Sequence, residues 1–333
     1  MTSTPRAAAS ALLDVRGLTV ELPTPAGWIR PVDGVSFTLD AGETLGLVGE
    51  SGCGKTMLGL ALTGLLPAGA RRAGQAWFAA ANGDAPVNLA ALDDAALRPL
   101  RGRHMAMIFQ EPMTALNPVM RVGAQIEEAV RVHAPELSRG DVRRRAVEAL
   151  ARAAVPEPEL RASQYPHQLS GGLRQRALIA MALAAGPRLV IADEPTTALD
   201  VTVQRQILEL LAQLGRDLRL GMLFITHDLG VVAQVAGRVA VMYAGRIVEH
   251  GPVERVLRAP LHPYTQGLLA AAPSLEKKTL VAIPGTVPSL HALPPGCAFE
   301  PRCAFRRAEC AQAVPELRES RDTPGHAARC VLV

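Results

Sequence analysis

Eight consecutive residues, Gly49-Glu50-Ser51-Gly52-Cys53-Gly54-Lys55-Thr56, fill the pattern G-x-x-x-x-G-K-[ST], which cradles phosphate. Its glycines let backbone N–H groups crowd around phosphate oxygens free of Cβ clashes. The N-terminus of the helix that follows adds partial positive charge. In this pattern Lys55 reaches the β- and γ-phosphates and the Thr56 hydroxyl ligates Mg²⁺. A second chemical pair, Asp193-Glu194, closes the apolar run Leu189-Val190-Ile191-Ala192. Asp193 there holds Mg²⁺ through its water shell, and Glu194 polarises the attacking water. The two motifs together predict nucleotide binding and hydrolysis.

Both motifs need strand ends to hold them. Thr44 to Val48 reads as a buried strand feeding the glycine loop, and Met57 to Leu65 as the helix after it. Met105 to Gln110 and Met222 to Thr226 read as further buried strands, the latter ending at His227-Asp228. Arg238 to Tyr243 and Arg246 to Glu249 follow, hinged at Gly245. Upstream, Leu12 to Leu22 and Val32 to Leu39 alternate apolar and polar residues as half-buried antiparallel strands do, with Pro23, Pro25 and Gly27 marking the turn. Trp28 falls in that turn, where it either stacks on an adenine ring or covers the hairpin. Ala73 to Leu89 reads as a small strand pair with a loop at Asn82-Gly83-Asp84. From Val122 to about Ala185 the period is helical, broken at Pro135, Pro156, Pro158 and Pro166, and this block looks inserted into the α/β pattern.

The totals exclude several classes. Aromatics make up only 3% of the 333 residues, so the core is aliphatic. The net charge of +4 comes from scattered Arg, without the dense basic patch of a nucleic-acid binder. Arg143-Arg144-Arg145 reads as a solvated helix face. No run approaches the roughly 18 to 20 apolar residues of a membrane span. Met1 to Ser10 is polar and lacks the apolar stretch of a secretory signal, which predicts a cytosolic chain able to dock on a membrane complex. Of the five cysteines, Cys53 lies in the glycine loop and the other four lie between Cys297 and Cys330. In reducing cytosol such a cluster points to metal rather than disulfides.

Between the nucleotide motifs stands Leu169-Ser170-Gly171-Gly172-Leu173-Arg174-Gln175-Arg176. With Gln110, Asp193-Glu194, Ala198-Leu199-Asp200 and His227, it resembles the ordered motif set of an ATP-binding cassette (ABC) ATPase over roughly residues 12–251. Ser170, Gly171, Gly172 and Leu173 open a helix and so make a second phosphate-binding N-terminus, placed to serve a nucleotide held by another subunit. Leu173 stands where Gln is usual in the family. The resemblance implies that Gln110 senses the γ-phosphate and Mg²⁺, that Glu194 is the catalytic carboxylate, that His227 holds the γ-phosphate, and that Asp200 communicates across a cassette dimer. Mg²⁺ would be held by Thr56, Gln110 and Asp193.

Beyond Gly251 the composition shifts to Pro, Arg and Cys. His262-Pro263-Tyr264-Thr265-Gln266-Gly267-Leu268-Leu269, and Glu111-Pro112-Met113-Thr114-Ala115-Leu116-Asn117-Pro118 earlier, resemble segments of oligopeptide and dipeptide importer ATPases. The tail then reads Cys297-x5-Cys303-x6-Cys310-x19-Cys330. Four thiolates suit tetrahedral zinc or an iron–sulfur cluster. Close C-x₂₋₄-C pairs typical of structural zinc are missing, and together with the resemblance this favours a [4Fe–4S] cluster that pins an otherwise loosely packed tail.

These readings predict an α/β P-loop NTPase of the ABC ATPase kind. It has a RecA-like core, an N-terminal antiparallel β subdomain, an inserted α-helical subdomain over about 112–185, and a small C-terminal Cys-rich tail. The cassette is expected over 11–257 and the tail over 258–333. The resemblance further implies ATP and Mg²⁺ as cofactors and a second ABC ATPase subunit as partner, with a heterodimer favoured over a homodimer. It also implies two integral membrane permease subunits and an extracytoplasmic solute-binding protein, with the chain peripheral at the cytoplasmic face of the inner membrane. The cargo class it implies is di- or oligopeptide, with nickel or another small solute as the alternative. A soluble non-transport ABC ATPase and an ABC exporter are the rivals.

Overall fold

A computed structural model describes residues 11–80, 85–111, 115–271 and 282–333. The chain opens with β1 (Leu13–Thr24) and β2 (Gly27–Leu39), paired antiparallel with Thr24 opposite Gly27. The strands run further than their alternation predicts, so the turn shrinks to Pro25-Ala26, with Gly27 at φ 114°. Trp28 is therefore a strand residue facing Pro23 rather than a turn residue. Next come β3 (Thr44–Val48), the helix Lys55–Thr63, β4 (Arg71–Phe78) and β5 (Val87–Asn88). β4 and β5 complete a four-stranded antiparallel sheet in the order β2-β1-β4-β5. The expected loop at Asn82-Gly83-Asp84, like Pro112, Met113 and Thr114, lies outside the described residues.

After β6 (Met105–Ile108) the chain leaves the sheet for the predicted helical block, made of helices Val122–His133, Arg139–Arg152, Pro158–Ser163 and Gly171–Leu183. Their apolar residues recur at helical spacing, for example Val122, Ile126 and Val130, and are buried against one another. Pro158 opens a helix instead of breaking one, because the first turn needs no N–H donor. Arg143, Arg144 and Arg145 are exposed.

The chain returns through β7 (Leu189–Asp193), helix Val201–Asp217, β8 (Gly221–Thr226), helix Leu229–Val235, β9 (Arg238–Tyr243) and β10 (Arg246–Pro252). β6, β7, β8, β3 and β9 are mutually parallel neighbours. Every residue of β7 and β8 is buried, as expected of parallel strands covered on both faces. Alternation sorts their side chains by layer. Leu45, Leu47, Ile191 and Ile225 pack under the antiparallel sheet with Leu13 and Phe78. Val48, Val190, Ala192 and Phe224 pack under the helices with Ile126 and Leu211.

The tail departs from expectation. It is built into the core rather than loosely attached. β11 (Arg318–Ser320) and β12 (Thr323–Ala328) extend the parallel sheet through an antiparallel pairing of β12 with β10. Glu249 of β10, fully buried, accepts hydrogen bonds from the backbone N–H groups of Leu261 (2.9 Å) and His262 (2.8 Å), and lies 2.8 Å from His326 Nε2. One carboxylate thus ties β10, the entry to helix Pro263–Ala271, and β12 together.

Candidate nucleotide site

The glycine loop leaves the end of β3 and turns into helix Lys55–Thr63. Gly52 and Gly54 have φ of 80° and 108°, a region that L side chains rarely enter. A Cβ on Gly54 would also strike the Pro31 carbonyl, so the loop can sit this close to β2 only with glycine there. The Cys53 carbonyl accepts from Gly245 N–H at 2.9 Å, fixing the loop to the turn after β9. Lys55 is buried, and its ammonium donates to the carbonyls of Gly49 (2.7 Å) and Glu50 (3.1 Å). Burial pushes the Cys53 thiol up, so it stays a neutral packing group beside the lysine. Ser51, Gly52 and Thr56 are exposed at the loop's open side.

β7 delivers Asp193 beside this loop. Its carboxylate is buried close to the Thr56 side chain, while Oδ1 has no partner among the described residues. Burial, helped by the neighbouring Glu194 charge, raises the Asp193 carboxyl above the usual carboxylate range. An orphaned, desolvated carboxylate oxygen next to a serine-type hydroxyl fits a hard divalent cation such as Mg²⁺, which prefers oxygen ligands.

Glu194 adopts φ 46°, a left-handed conformation uncommon for a non-glycine residue. Its backbone N–H is tied to Ile225 O at 2.9 Å. Its Oε2 collects three side chains: Gln110 Nε2 donates at 3.3 Å, Thr197 Oγ1 donates at 2.9 Å, and His227 Nδ1 lies 3.2 Å away. Gln110 comes from the end of β6, Glu194 from the end of β7 and His227 from the end of β8. Three parallel strand ends thereby converge at one carboxylate oxygen, the usual site position in an open α/β sheet. Thr197 was not singled out by sequence reasoning; its spacing of three after Glu194 was the only available signal.

Ser170 caps helix Gly171–Leu183, its hydroxyl accepting from Leu173 N–H at 3.4 Å. Ser170 and Gly171 are exposed, whereas Gly172 is held against Val203. Asp200 likewise caps helix Val201–Asp217 by accepting from Val203 N–H at 2.9 Å. Trp28 carries the Arg71 guanidinium 4.0 Å over its ring, a cation–π contact that occupies one ring face.

The four tail cysteines line one small enclosed space together with His262, Phe299 and Leu332. Among the described residues, however, no group of three or more His, Cys, Asp and Glu side chains is placed to hold a metal ion. The expected cluster therefore has no ready-made cage. Burial pushes the Cys297 thiol up to about 11 and raises Cys303 and Cys330 as well.

A glycine loop between β3 and a helix, a carboxylate pair at the end of β7, and a helical block inserted before that strand define a nucleotide-binding cassette of the P-loop class. Known proteins agree. The ABC transporter family model matches residues 32–197, and the model for the C-terminal region of oligopeptide/dipeptide transporters matches residues 248–310. A putative peptide import ATP-binding protein of Brucella ovis is 50% identical over 334 residues, covering 96% of each chain. Another from Brucella abortus is 47% identical, covering 96% of this chain and 94% of the relative. Among solved structures, a dimeric ATP-binding cassette in a post-hydrolysis state bound to ADP and Pi superposes with a TM-score of 0.63 at 26% identity, covering 72% of this chain and 98% of that one. The chain belongs to the ABC transporter family, as an ATP-hydrolysing subunit of the kind named peptide import ATP-binding proteins. Among the described residues no helix is long and apolar enough to cross a membrane.

Proposed function

We propose that this subunit energises import of di- and oligopeptides through separate membrane permease subunits. The observation that carries the reading is the convergence of Gln110, Thr197 and His227 on Glu194 Oε2, next to the orphaned Asp193 Oδ1. In ATP hydrolysis the P-loop backbone from Gly49 to Thr56 binds the phosphates, and Lys55 exchanges its present carbonyl partners for phosphate oxygens. Thr56, Asp193 and Gln110 would hold Mg²⁺, whose charge offsets the charge developing on the phosphates. Glu194 orients the attacking water and accepts its proton; His227 steadies the γ-phosphate, and Thr197 fixes the carboxylate rotamer. Ser170, Gly171, Gly172 and Leu173 present their helix N-terminus to the nucleotide of a second cassette, with Asp200 at the same dimer face.

An apolar cavity of ≈ 460 Å³ opens beside the Gln110 loop, lined in part by Leu65, Met107, Phe109, Leu178 and Met181. It lies between the core and the inserted helices, where a permease element would feel both the γ-phosphate sensor and the signature helix. Pairing with a second, similar ATPase subunit, an extracytoplasmic solute-binding protein, and a peripheral position at the cytoplasmic face of the membrane complete the assembly. For Trp28 the Arg71 stacking supports the hairpin-covering role over adenine stacking. The cassette over 11–257 would carry the chemistry and 258–333 the family-specific tail.

Cys297, Cys303, Cys310 and Cys330 would hold a [4Fe–4S] cluster. What supports this reading is that all four cysteines line one small cavity, four thiolates being the usual ligand set of such a cluster. Bound there, the cluster would supply a structural cross-link once the thiols lose their protons.

Cargo is tested by uptake of labelled dipeptides, tripeptides and nickel in cells lacking the gene, complemented with intact or Glu194→Gln copies. Peptide uptake restored only by the intact copy is the expected result. Peptide uptake that is unaffected while nickel uptake is lost would replace the cargo.

A further inference from the structure

The tail reaches the P-loop through one cation. Arg302, in the short turn Glu300–Arg302 just before Cys303, has a side chain only 4% exposed. Its Nη1 donates to Glu50 Oε2 at 2.7 Å and its Nη2 to Glu50 Oε1 at 3.1 Å, a bidentate pair. Nε donates to Pro284 O at 2.9 Å, and Nη1 also reaches the Tyr243 hydroxyl at 3.3 Å. The hydrogen bond to Glu50 is the main reason the guanidinium holds its proton more firmly than usual.

Glu50 is held at its backbone as well. Its N–H donates to the Tyr264 hydroxyl at 2.8 Å, and the Tyr264 ring packs tilted against Tyr243 and Phe299 at ring separations of 4.6 and 5.4 Å. The Glu50 carbonyl in turn accepts from Lys55. The second residue of the P-loop is thus fixed by the tail on both sides, and its negative charge at the mouth of a phosphate site is offset by Arg302. Losing that cation would free the loop's first half and leave an uncompensated carboxylate on a loop that binds anionic phosphates.

We propose that Arg302 is a positioning residue for ATP binding, clamping Glu50 so that nucleotide affinity depends on the state of the four-cysteine cavity one residue away. The proposal rests on the ATPase reading and extends it to the tail's own residues. It assigns Arg302 to ground-state binding, so its removal acts on affinity more than on turnover.

The test titrates the full chain with a fluorescent ATP analogue and Mg²⁺, and measures KM and kcat in the assembled complex. Arg302→Met should weaken ATP binding about tenfold and raise KM, with kcat changed less than about threefold. Arg302→Lys, which keeps the charge but loses the fork, should recover part of the affinity. Glu50→Gln reaches the same pair from the P-loop side and carries the test if Arg302→Met does not fold. Cys303→Ser should weaken ATP binding in the wild-type background and add nothing in Arg302→Met. A folded Arg302→Met that binds ATP like wild type, or additive effects of Cys303→Ser and Arg302→Met, overturns the clamp. A wild-type chain that binds no ATP would instead overturn the ATPase reading itself.

Discussion

Gln110 and Glu194 are separated by the whole helical insert, yet the Gln110 amide donates to Glu194 Oε2 at 3.3 Å. A contact between the strand end that leads into the insert and the carboxylate proposed to be catalytic would give the insert a direct grip on the chemistry. Replacing Gln110 by Ala should lower kcat of the assembled complex by about 100- to 1,000-fold, the range for losing one preorganised donor. Full turnover in Gln110→Ala would separate that side chain from catalysis.

Thr197 donates to the same oxygen at 2.9 Å. Thr197→Val keeps the shape and removes the donor, so kcat should fall about tenfold with KM for ATP unchanged. A rise in KM with constant kcat would place Thr197 in binding instead.

The tail responds to acid through His262. This buried imidazole accepts from Tyr264 N–H at Nδ1 (3.0 Å), and burial pushes it down to about 4. The folded value lies below the unfolded one of about 6.5. The unfolded chain therefore binds a proton that the folded chain refuses between those two pH values. This contribution to stability is complete above about pH 6.5 and declines as pH falls towards about 4, reaching about 2 kcal/mol lost by pH 5. Burial lowers His250 in the same direction. Urea unfolding at pH 7 and pH 5 should show a larger stability loss in wild type than in His262→Asn; equal losses would contradict this.

For the cysteine cavity, anaerobically purified protein should be brown with near-stoichiometric iron and sulfide, and Cys310→Ser should bleach it. A colourless protein carrying one zinc would refute the cluster.

The nucleotide motifs were legible because each is a short run whose spacing is fixed by local backbone physics. Strand, glycine loop and helix N-terminus around Lys55 leave few alternatives, and the apolar run before Asp193 sets its strand end. Thr197 was illegible because a hydroxyl reports its partner only once a left-handed Glu194 folds the chain back on itself. Trp28 was misplaced because Pro23 and Pro25 read as turn residues, whereas β1 continues through Pro23, which pairs with β2 alone because the β4 pairing ends at Glu21. The tail's docking was illegible for a different reason. β12 is short and contains Pro324 and Gly325, and the pair Arg302–Glu50 spans 252 residues, a distance over which no local pattern carries information.

The most direct single measurement is ATP binding and hydrolysis by the complex assembled with Glu194→Gln. That substitution keeps the Asp193 site and the P-loop but removes the carboxylate proposed to activate water. ATP binding should persist while turnover falls by at least about a hundredfold, the lower range for a lost general base. A near-normal hydrolysis rate with the variant would contradict the assignment of Glu194 and the mechanism built on it.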